Sequence, residues 1–353
     1  MSKKVMCGGV AIGGGAPVSV QSMLNVDTRD VAAAVKQIKE LEAAGCDLVR
    51  LAVPSSEGAE AFGEIRKRVS LPLIADIHFD YRLAVKAIRM GADKVRINPG
   101  NIGSAENVRA VVDAAKERKI PIRIGVNAGS LEKDILAKYG GVSSEGLVES
   151  ALRNIALLEE MDFEDMVISL KSSHVKMNHE AYLAMAKKTD YPLHIGVTEA
   201  GTPEWGKIKS AVGIGALLLA GVGDTLRVSL TGDPVEEVLV GRKILACAGM
   251  RQEPINMVSC PTCGRTGVDL ETIAARIEKE LIPMGRKRQM AGLPGITVAV
   301  MGCEVNGPGE AAGADVGVAC GKGKGVLFAK GKPIKTVEEK DIIRELIRLV
   351  DEL

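Results

Sequence analysis

Three cysteines carry the first chemical signal in this sequence. Cys260-Pro-Thr-Cys263-Gly-Arg-Thr-Gly is followed by Cys303 in the run Gly302-Cys303-Glu304-Val-Asn306-Gly-Pro-Gly309-Glu310. A C-x-x-C pair with a third thiol in a glycine-rich loop is a soft-metal pattern, because thiolates prefer zinc and iron to hard cations. Three sulfurs at two loop tips suit either a structural zinc or a [4Fe–4S] cluster, with a fourth ligand to be found. Cys320 and Glu310 are the candidates. On spacing alone Cys320 is the default, since thiolates usually complete both kinds of site. The lack of a second C-x-x-C or C-x-H argues against zinc, and the third cysteine argues against a thioredoxin-type pair. Cys7, Cys46 and Cys247 stand apart and read as small buried apolar residues.

A second set of reactive groups lies in the first two-thirds of the chain. Short β-branched runs end in Gln21/Ser22, Arg50, Asp76/His78, Arg96/Asn98, Arg123/Asn127, Ser169/Lys171, Thr198/Glu199 and Arg227/Ser229. A parallel strand is buried on both faces, so a charge there is expensive unless it lines a site. Four arginines and one lysine face two acids, Asp76 and Glu199. That cation excess points to an anionic substrate, and arginine forks suit phosphate oxygens. A diphosphate matches the size of the ring. A carboxylate among cations can be a charge balancer or a proton carrier; Glu199 is read as the latter, at the reacting carbon. Asp76, two residues before His78 on the same face, makes an orienting pair. His174, His179 and His194 read as structural.

These groups need a scaffold that brings strand ends together. The runs Val18–Ser22, Leu48–Val53, Leu71–Ile77, Lys94–Asn98, Ile120–Asn127, Met166–Lys171, Leu193–Thr198 and Leu226–Leu230 alternate with helical patterns such as Arg29–Ala44, Tyr81–Met90, Ala105–Glu117, Leu147–Glu160 and Ala181–Lys187. Gly-Cys-Asp (45–47) and Gly-Ala-Asp (91–93) close two of these helices as glycines at that position do. Eight β–α units predict a (β/α)8 TIM-type barrel over residues 1–248, with a doubly wound sheet as the alternative. Gly13-Gly14-Gly15 follows no β-run, which excludes a dinucleotide fingerprint. Residues 249–353 predict a smaller α/β module. It has strands at Met257–Ser259, Ile296–Met301, Val316–Ala319, Gly325–Ala329 and Pro333–Thr336, a helix at Leu270–Leu281 capped by Asp269, and a closing helix at Glu338–Leu353.

Composition narrows the function classes. Apolar residues make up 46% of 353 positions but aromatics only 3%, so the core is built from Ala, Val, Ile and Leu. Lys plus Arg total 46 against 45 for Asp plus Glu, so no bulk basic charge and few stacking rings favour nucleic acid. Gly215–Val222 and similar apolar runs are far too short to span a bilayer, and no signal peptide is read at the N-terminus, so a cytoplasmic location without membrane contact is expected. The seven cysteines, an odd count, make disulfides improbable.

The ordered motifs identify a resemblance. Val20-Gln-Ser-Met23, Val95-Arg-Ile-Asn-Pro-Gly-Asn-Ile-Gly103, Ile122-Arg-Ile-Gly-Val-Asn-Ala-Gly-Ser-Leu131 and Ser169-Leu-Lys-Ser-Ser173 fall in the predicted barrel. So do Gly196-Val-Thr-Glu-Ala-Gly201 and Gly223-Asp-Thr-Leu-Arg-Val-Ser229. Cys260-Pro-Thr-Cys-Gly-Arg265 and Met301-Gly-Cys-Glu-Val-Asn-Gly-Pro-Gly-Glu-Ala311 follow in the second module. Over essentially its whole length the chain resembles the bacterial 4-hydroxy-3-methylbut-2-enyl diphosphate synthases of the non-mevalonate isoprenoid pathway. The resemblance implies an iron–sulfur oxidoreductase that opens 2-C-methyl-D-erythritol 2,4-cyclodiphosphate. It implies one [4Fe–4S] cluster on Cys260, Cys263, Cys303 and Glu310, so that Glu310 replaces Cys320 as fourth ligand. By the same resemblance Arg50, Arg96, Arg123 and Lys171 clamp the diphosphate, with His78 and Asn127 assisting. Asp76 and Glu199 lie near the carbon skeleton, and Asn306 approaches from the cluster side. A flavodoxin or ferredoxin would supply electrons, and the family's homodimer would set one subunit's cluster module over the other's barrel. Leu24 and Glu304 depart from the usual pattern without removing a ligand or clamp residue; Glu304 is expected to face solvent. The rival readings are a barrel transferase or lyase with a structural zinc knot, and a non-catalytic electron carrier.

Overall fold

The computed structural model describes residues 1–303, 311 and 313–353, in two compact units, Met1–Arg251 and Gln252–Leu353. The first opens with a hairpin, β1 (Val5–Cys7) against β2 (Val10–Ile12). Eight parallel strands follow: β3 (Ser19–Met23), β4 (Leu48–Ala52), β5 (Leu73–Asp76), β6 (Lys94–Ile97), β7 (Ile122–Asn127), β8 (Met166–Lys171), β9 (His194–Ile195) and β10 (Thr225–Leu226). Each pairs with the next, and β10 returns to β3 through Thr225–Ser19 and Leu226–Val20. Between β8 and β9 the circuit is completed by a parallel bridge, Ile168–Leu193. The sheet is therefore a (β/α)8 barrel and not a doubly wound sheet. All eight strand runs read from the sequence are present, the last two shortened.

Residues alternate along each strand, and the alternation decides what the barrel holds. On β6, Val95 and Ile97 pack outward with the helices, while Lys94 and Arg96 point inward; on β7, Ile122, Ile124 and Val126 face out and Arg123 faces in. The outer layer is one continuous apolar core of aliphatic side chains with Phe62, Phe163, Tyr182 and Tyr191. The hairpin closes the N-terminal end. Val5, Cys7 and Ile12 pack on Leu48, Ile74 and Val167 to make an apolar floor.

One sequence device recurs at the helix-to-strand turns. A glycine with left-handed φ ends the helix (Gly45, φ 87; Gly91, φ 100), and the aspartate two residues later accepts a hydrogen bond from the backbone N–H of the preceding strand. Asp47 accepts from Val20 N at 2.7 Å, Asp93 from Leu73 N at 2.8 Å and Asp224, after Gly223, from Leu193 N at 2.8 Å. Asp315, after Gly313-Ala314, does the same to Thr297 N at 2.8 Å in the second unit. Each clip fixes the start of one strand against the start of the next.

The second unit is a five-stranded sheet in the order β11 (Ile255–Ser259), β12 (Ile296–Met301), β13 (Val316–Gly321), β14 (Lys324–Ala329), β15 (Lys332–Glu338). The first three strands are parallel and the last two antiparallel. Helices Leu270–Met290 and Ile342–Asp351 pack their apolar faces on it, giving a separate core around Ile277, Val298, Val318 and Leu346. The first helix runs nine residues past its expected end at Leu281, carrying Pro283 inside it. Asp269 caps it, accepting from Thr272 N at 3.2 Å.

Candidate active site

The barrel's charged groups gather around one buried carboxylate. Asp76, at the end of β5, has its Oδ1 3.4 Å from Arg96 Nη1, while its Oδ2 lies 3.9 Å from Arg50 Nε and 3.3 Å from His78 Nε2. Burial opposes ionisation of Asp76, but Arg50, the His78 hydrogen bond, Arg96 and Arg123 outweigh it and hold the carboxyl well below its usual range. Arg50 is pushed down to about 10 by burial, against the pull of Asp76. Asn127, with its amide oxygen turned to Arg96, accepts from Nη2 at 3.2 Å and donates to Val126 O at 3.3 Å. Arg96 also reaches Gly125 O at 3.4 Å, and a Cβ at Gly125 would displace the guanidinium, so the glycine leaves Arg96 its place.

Two cations of this group have no acid among the described residues. Arg123 is 1% exposed, and all three guanidinium nitrogens lack a hydrogen-bond partner among the described residues. Lys171, at the end of β8, is buried and forms no ion pair among the described residues. Burial, then Arg123, Arg227, Arg50 and Arg96, hold its ammonium well below the usual lysine range. A Cβ at Gly196 would lie 2.5 Å from Arg227 O and 3.0 Å from Lys171 Nζ, so this glycine admits the neighbouring backbone first and the cation second. Unpaired buried charge of this kind costs stability unless a ligand arrives to meet it. What the pocket lacks is negative charge.

Arg227 does not belong to this unpaired set. Its Nε and Nη2 lie 3.3 Å from the two oxygens of Glu237, on the helix Pro234–Cys247, which also accepts from Ser22 Oγ at 3.3 Å and Leu230 N at 2.9 Å. The buried Glu237 is the acid that a strand-end reading overlooks, because it sits on the following helix; its only signal is an acid spaced ten residues after Arg227. Met23, from β3, is wedged between Arg50 and Arg227, with its sulfur 2.7 Å from Arg50 Nη2 and 3.7 Å from Arg227 Nη1.

Glu199 is itself exposed, between half-buried Thr198 and buried Ala200 in the loop after β9, with φ +50, a backbone conformation that side-chain-bearing residues rarely hold. Its loop is tied to that of Lys171 by Asn178, which accepts from Ser172 N at 3.1 Å and donates to Gly196 O at 3.3 Å. His78 is exposed beside the exposed ring of Phe79, and it is no core histidine. Leu24 is buried in the barrel core, away from any polar role. His174 caps the helix Val175–Ala186, accepting from Met177 N at 3.3 Å, and His194 is buried and held neutral by burial, Arg123, Lys171 and Lys94.

In the second unit, β11 ends at Ser259 and β12 at Met301, adjacent and parallel, so Cys260 and Cys303 leave the same sheet edge. Gly302 N donates to Cys260 Sγ at 3.1 Å, and the Arg265 backbone N–H lowers the Cys263 thiol. All three cysteines are free: Cys263 exposed, Cys260 and Cys303 half-buried. Among the described residues no three His, Cys, Asp or Glu side chains already converge on one metal position. The donor set nevertheless fits an iron–sulfur cluster, being three unbonded thiols at one edge with a backbone N–H already aimed at a sulfur. Glu310, Asn306 and Glu304 lie outside the described residues. Cys320 is buried in β13 and its thiol is pushed up to about 12 by burial. Cys7 and Cys46 are buried as expected, but Cys247 is exposed at the end of its helix, so it is not a core residue.

Comparison with known proteins agrees with this division. The 4-hydroxy-3-methylbut-2-en-1-yl diphosphate synthase (flavodoxin) of Caldanaerobacter subterraneus subsp. tengcongensis is 54% identical over 353 residues, covering 100% of this chain and 97% of that protein. The enzyme of the same name from Clostridium perfringens is 56% identical over 350 residues, covering 99% and 98%. Among solved structures, dihydropteroate synthase of Yersinia pestis superposes with a TM-score of 0.51 at 12% identity, over 70% of this chain and 98% of that one, a likeness of barrel fold alone. The GcpE TIM-barrel domain matches residues 2–242 and the GcpE protein C-terminal domain residues 256–352. From the barrel to the cysteine-bearing sheet, this chain belongs to the GcpE family.

Proposed function

We propose that the chain reduces 2-C-methyl-D-erythritol 2,4-cyclodiphosphate to 4-hydroxy-3-methylbut-2-enyl diphosphate and water. The observation that carries this reading is the buried cation set at the barrel mouth, with Arg123 and Lys171 unpaired, in a family whose relatives are named for that product. Arg50, Arg96, Arg123 and Lys171 grip the two phosphates, and His78 and Asn127 contribute further hydrogen bonds. Asp76 holds Arg50, Arg96 and His78 in place and borders the carbon skeleton.

Two electrons and a proton balance the chemistry. The ring C–O bond to phosphate breaks, and the diphosphate becomes linear with an added negative charge that the preformed cations already neutralise. The neighbouring hydroxyl leaves as water after protonation, with Glu199 as the proton carrier. An iron–sulfur cluster, of [4Fe–4S] type on Cys260, Cys263, Cys303 and Glu310, would supply the electrons one at a time from flavodoxin, the donor printed in the relatives' names. Asn306 would orient the substrate from the cluster side. A homodimer in the cytoplasm completes the proposal.

Anaerobic assay of purified protein with the cyclodiphosphate and a strong reductant tests it directly. Turnover to the linear diphosphate is expected, together with brown colour and bound iron. A colourless, iron-free protein made without oxygen would falsify the reading. Glu310→Ala in the same assay should lose turnover, and wild-type rates would discredit the carboxylate ligand.

A further inference from the structure

Below the site just described, the barrel interior holds a layer of polar groups that the proposed chemistry does not use. Lys94 is 0% exposed and its ammonium has no hydrogen-bond partner among the described residues. The same is true of Ser19 Oγ, both polar atoms of the Gln21 amide, and Nε2 of His194. Lys94 stands one pleat toward the floor from Arg96, and Arg96 is paired with Arg123 on the next strand. Lys94 forms no ion pair among the described residues, and the side chains packed beneath it are apolar. They are Val5, Cys7, Ile12, Leu48, Ile74 and Val167.

We propose that Lys94 is a positioning residue for diphosphate capture: an ammonium sealed beneath Arg123, without a carboxylate of its own, that keeps the guanidinium free to face the anion. The inference rests on the substrate reading above and adds a residue to it. An acid in the place of Lys94 would draw Arg123 down into an ion pair, as Glu237 has done with Arg227. A neutral aliphatic side chain would leave Arg123 in place but remove a long-range charge from a low-dielectric interior, where it acts on the anion with little screening.

Protonation of Lys94 gives the proposal a signature that simple packing lacks. Burial pushes its ammonium down to about 8; Cys7 on the hairpin opposes this, while Arg123 and Arg50 on the strands deepen it. His194 and Lys171 also face this interior. An anion bound above favours the charged amine, so its pKa rises on binding. Affinity is then greatest below about pH 8 and falls as pH rises through that value, with proton uptake accompanying binding. Each phosphorus of a cyclic diphosphate bears one strongly acidic proton, so the ligand itself does not titrate there.

The test is calorimetric titration of the anaerobic, cluster-loaded full chain with the cyclodiphosphate, at about pH 7 and about pH 9, in buffers of differing ionisation enthalpy. At the higher pH, where the free amine is largely neutral, wild type should bind more weakly and take up protons on binding; near pH 7 the uptake should be small. Lys94→Met should bind about tenfold more weakly near neutrality, with a smaller pH dependence than wild type and a melting temperature equal or higher. Any contribution of Lys171 is common to both proteins, so the difference between them isolates Lys94. Lys94→Glu should bind more weakly still. Equal affinity in Lys94→Met, or wild-type binding without proton uptake at about pH 9, overturns the proposal; the second measurement needs no variant. Failure of wild type to bind at either pH is a different result and removes the substrate reading itself.

Discussion

The two units place their chemistry at the same architectural position and treat it in opposite ways. In both, parallel strands carry the reactive side chains: Asp76 and Lys171 end β5 and β8, Cys260 and Cys303 follow the ends of β11 and β12, and Arg50, Arg96 and Arg123 point inward from within β4, β6 and β7. In the barrel these groups are buried, charged and fixed by glycines and a central carboxylate before any ligand is present. In the second unit the thiols are half-buried or exposed, and those described do not yet converge. The difference follows from what each would bind. Phosphate oxygens are held best by cations already oriented in a dry interior, where reorganisation is small. A metal centre supplies its own geometry and draws thiolates to it, so its ligands need access more than prior order.

The largest effect should come from the unit that is not preassembled. Cys263→Ala is expected to abolish reduction and most bound iron while leaving cyclodiphosphate binding intact, read by iron analysis and titration calorimetry. Loss of both together would mean that the two sites are not separable. Arg123→Met is the converse variant: it should lower kcat/KM about a hundredfold, the scale of a lost charge-assisted fork to phosphate, while visible absorbance stays at the wild-type level. Gly125→Ala puts a methyl group against the Arg96 guanidinium and should raise KM about tenfold with the fold intact, a test of how much prior order matters. Cys320→Ala should be the mildest. A buried thiol lost from the sheet costs about 1 kcal/mol, seen as a small drop in melting temperature, with iron content unchanged. A fall in iron would restore Cys320 as the fourth ligand.

Much of this arrangement is legible in the sequence, for identifiable reasons. Strand runs of β-branched residues bounded by Gly-x-Asp turns survive into the structure because each turn carries both a helix stop and a strand clip. The hairpin Val5–Ile12 escapes such reading because its strands are three residues long and its role is to plug a barrel end. β9 and β10 are shorter than their apolar runs suggest. The pairing of Arg227 is hidden because its partner lies on a helix, where Glu237 looks like one more surface acid. Lys94 is hidden for a related reason. A lysine after Gly-Ala-Asp reads as solvated unless the strand alternation is followed through Arg96, which shows that both must point inward. The exposure of Cys247 depends on which way a helix end turns, and one residue type does not determine that.

The apolar plug beneath the barrel makes the cavity a blind-ended vessel. Whatever enters must leave by the same opening, so linear product and incoming ring compete for one doorway and cannot pass through in file. Turnover would then be limited by how quickly a newly charged product escapes a cationic throat, and raised salt should speed release even as it slows capture. Trimming the chain past Ile12 would remove the side chains of Val5, Cys7 and Ile12 from the base and let water reach the Lys94 layer from below.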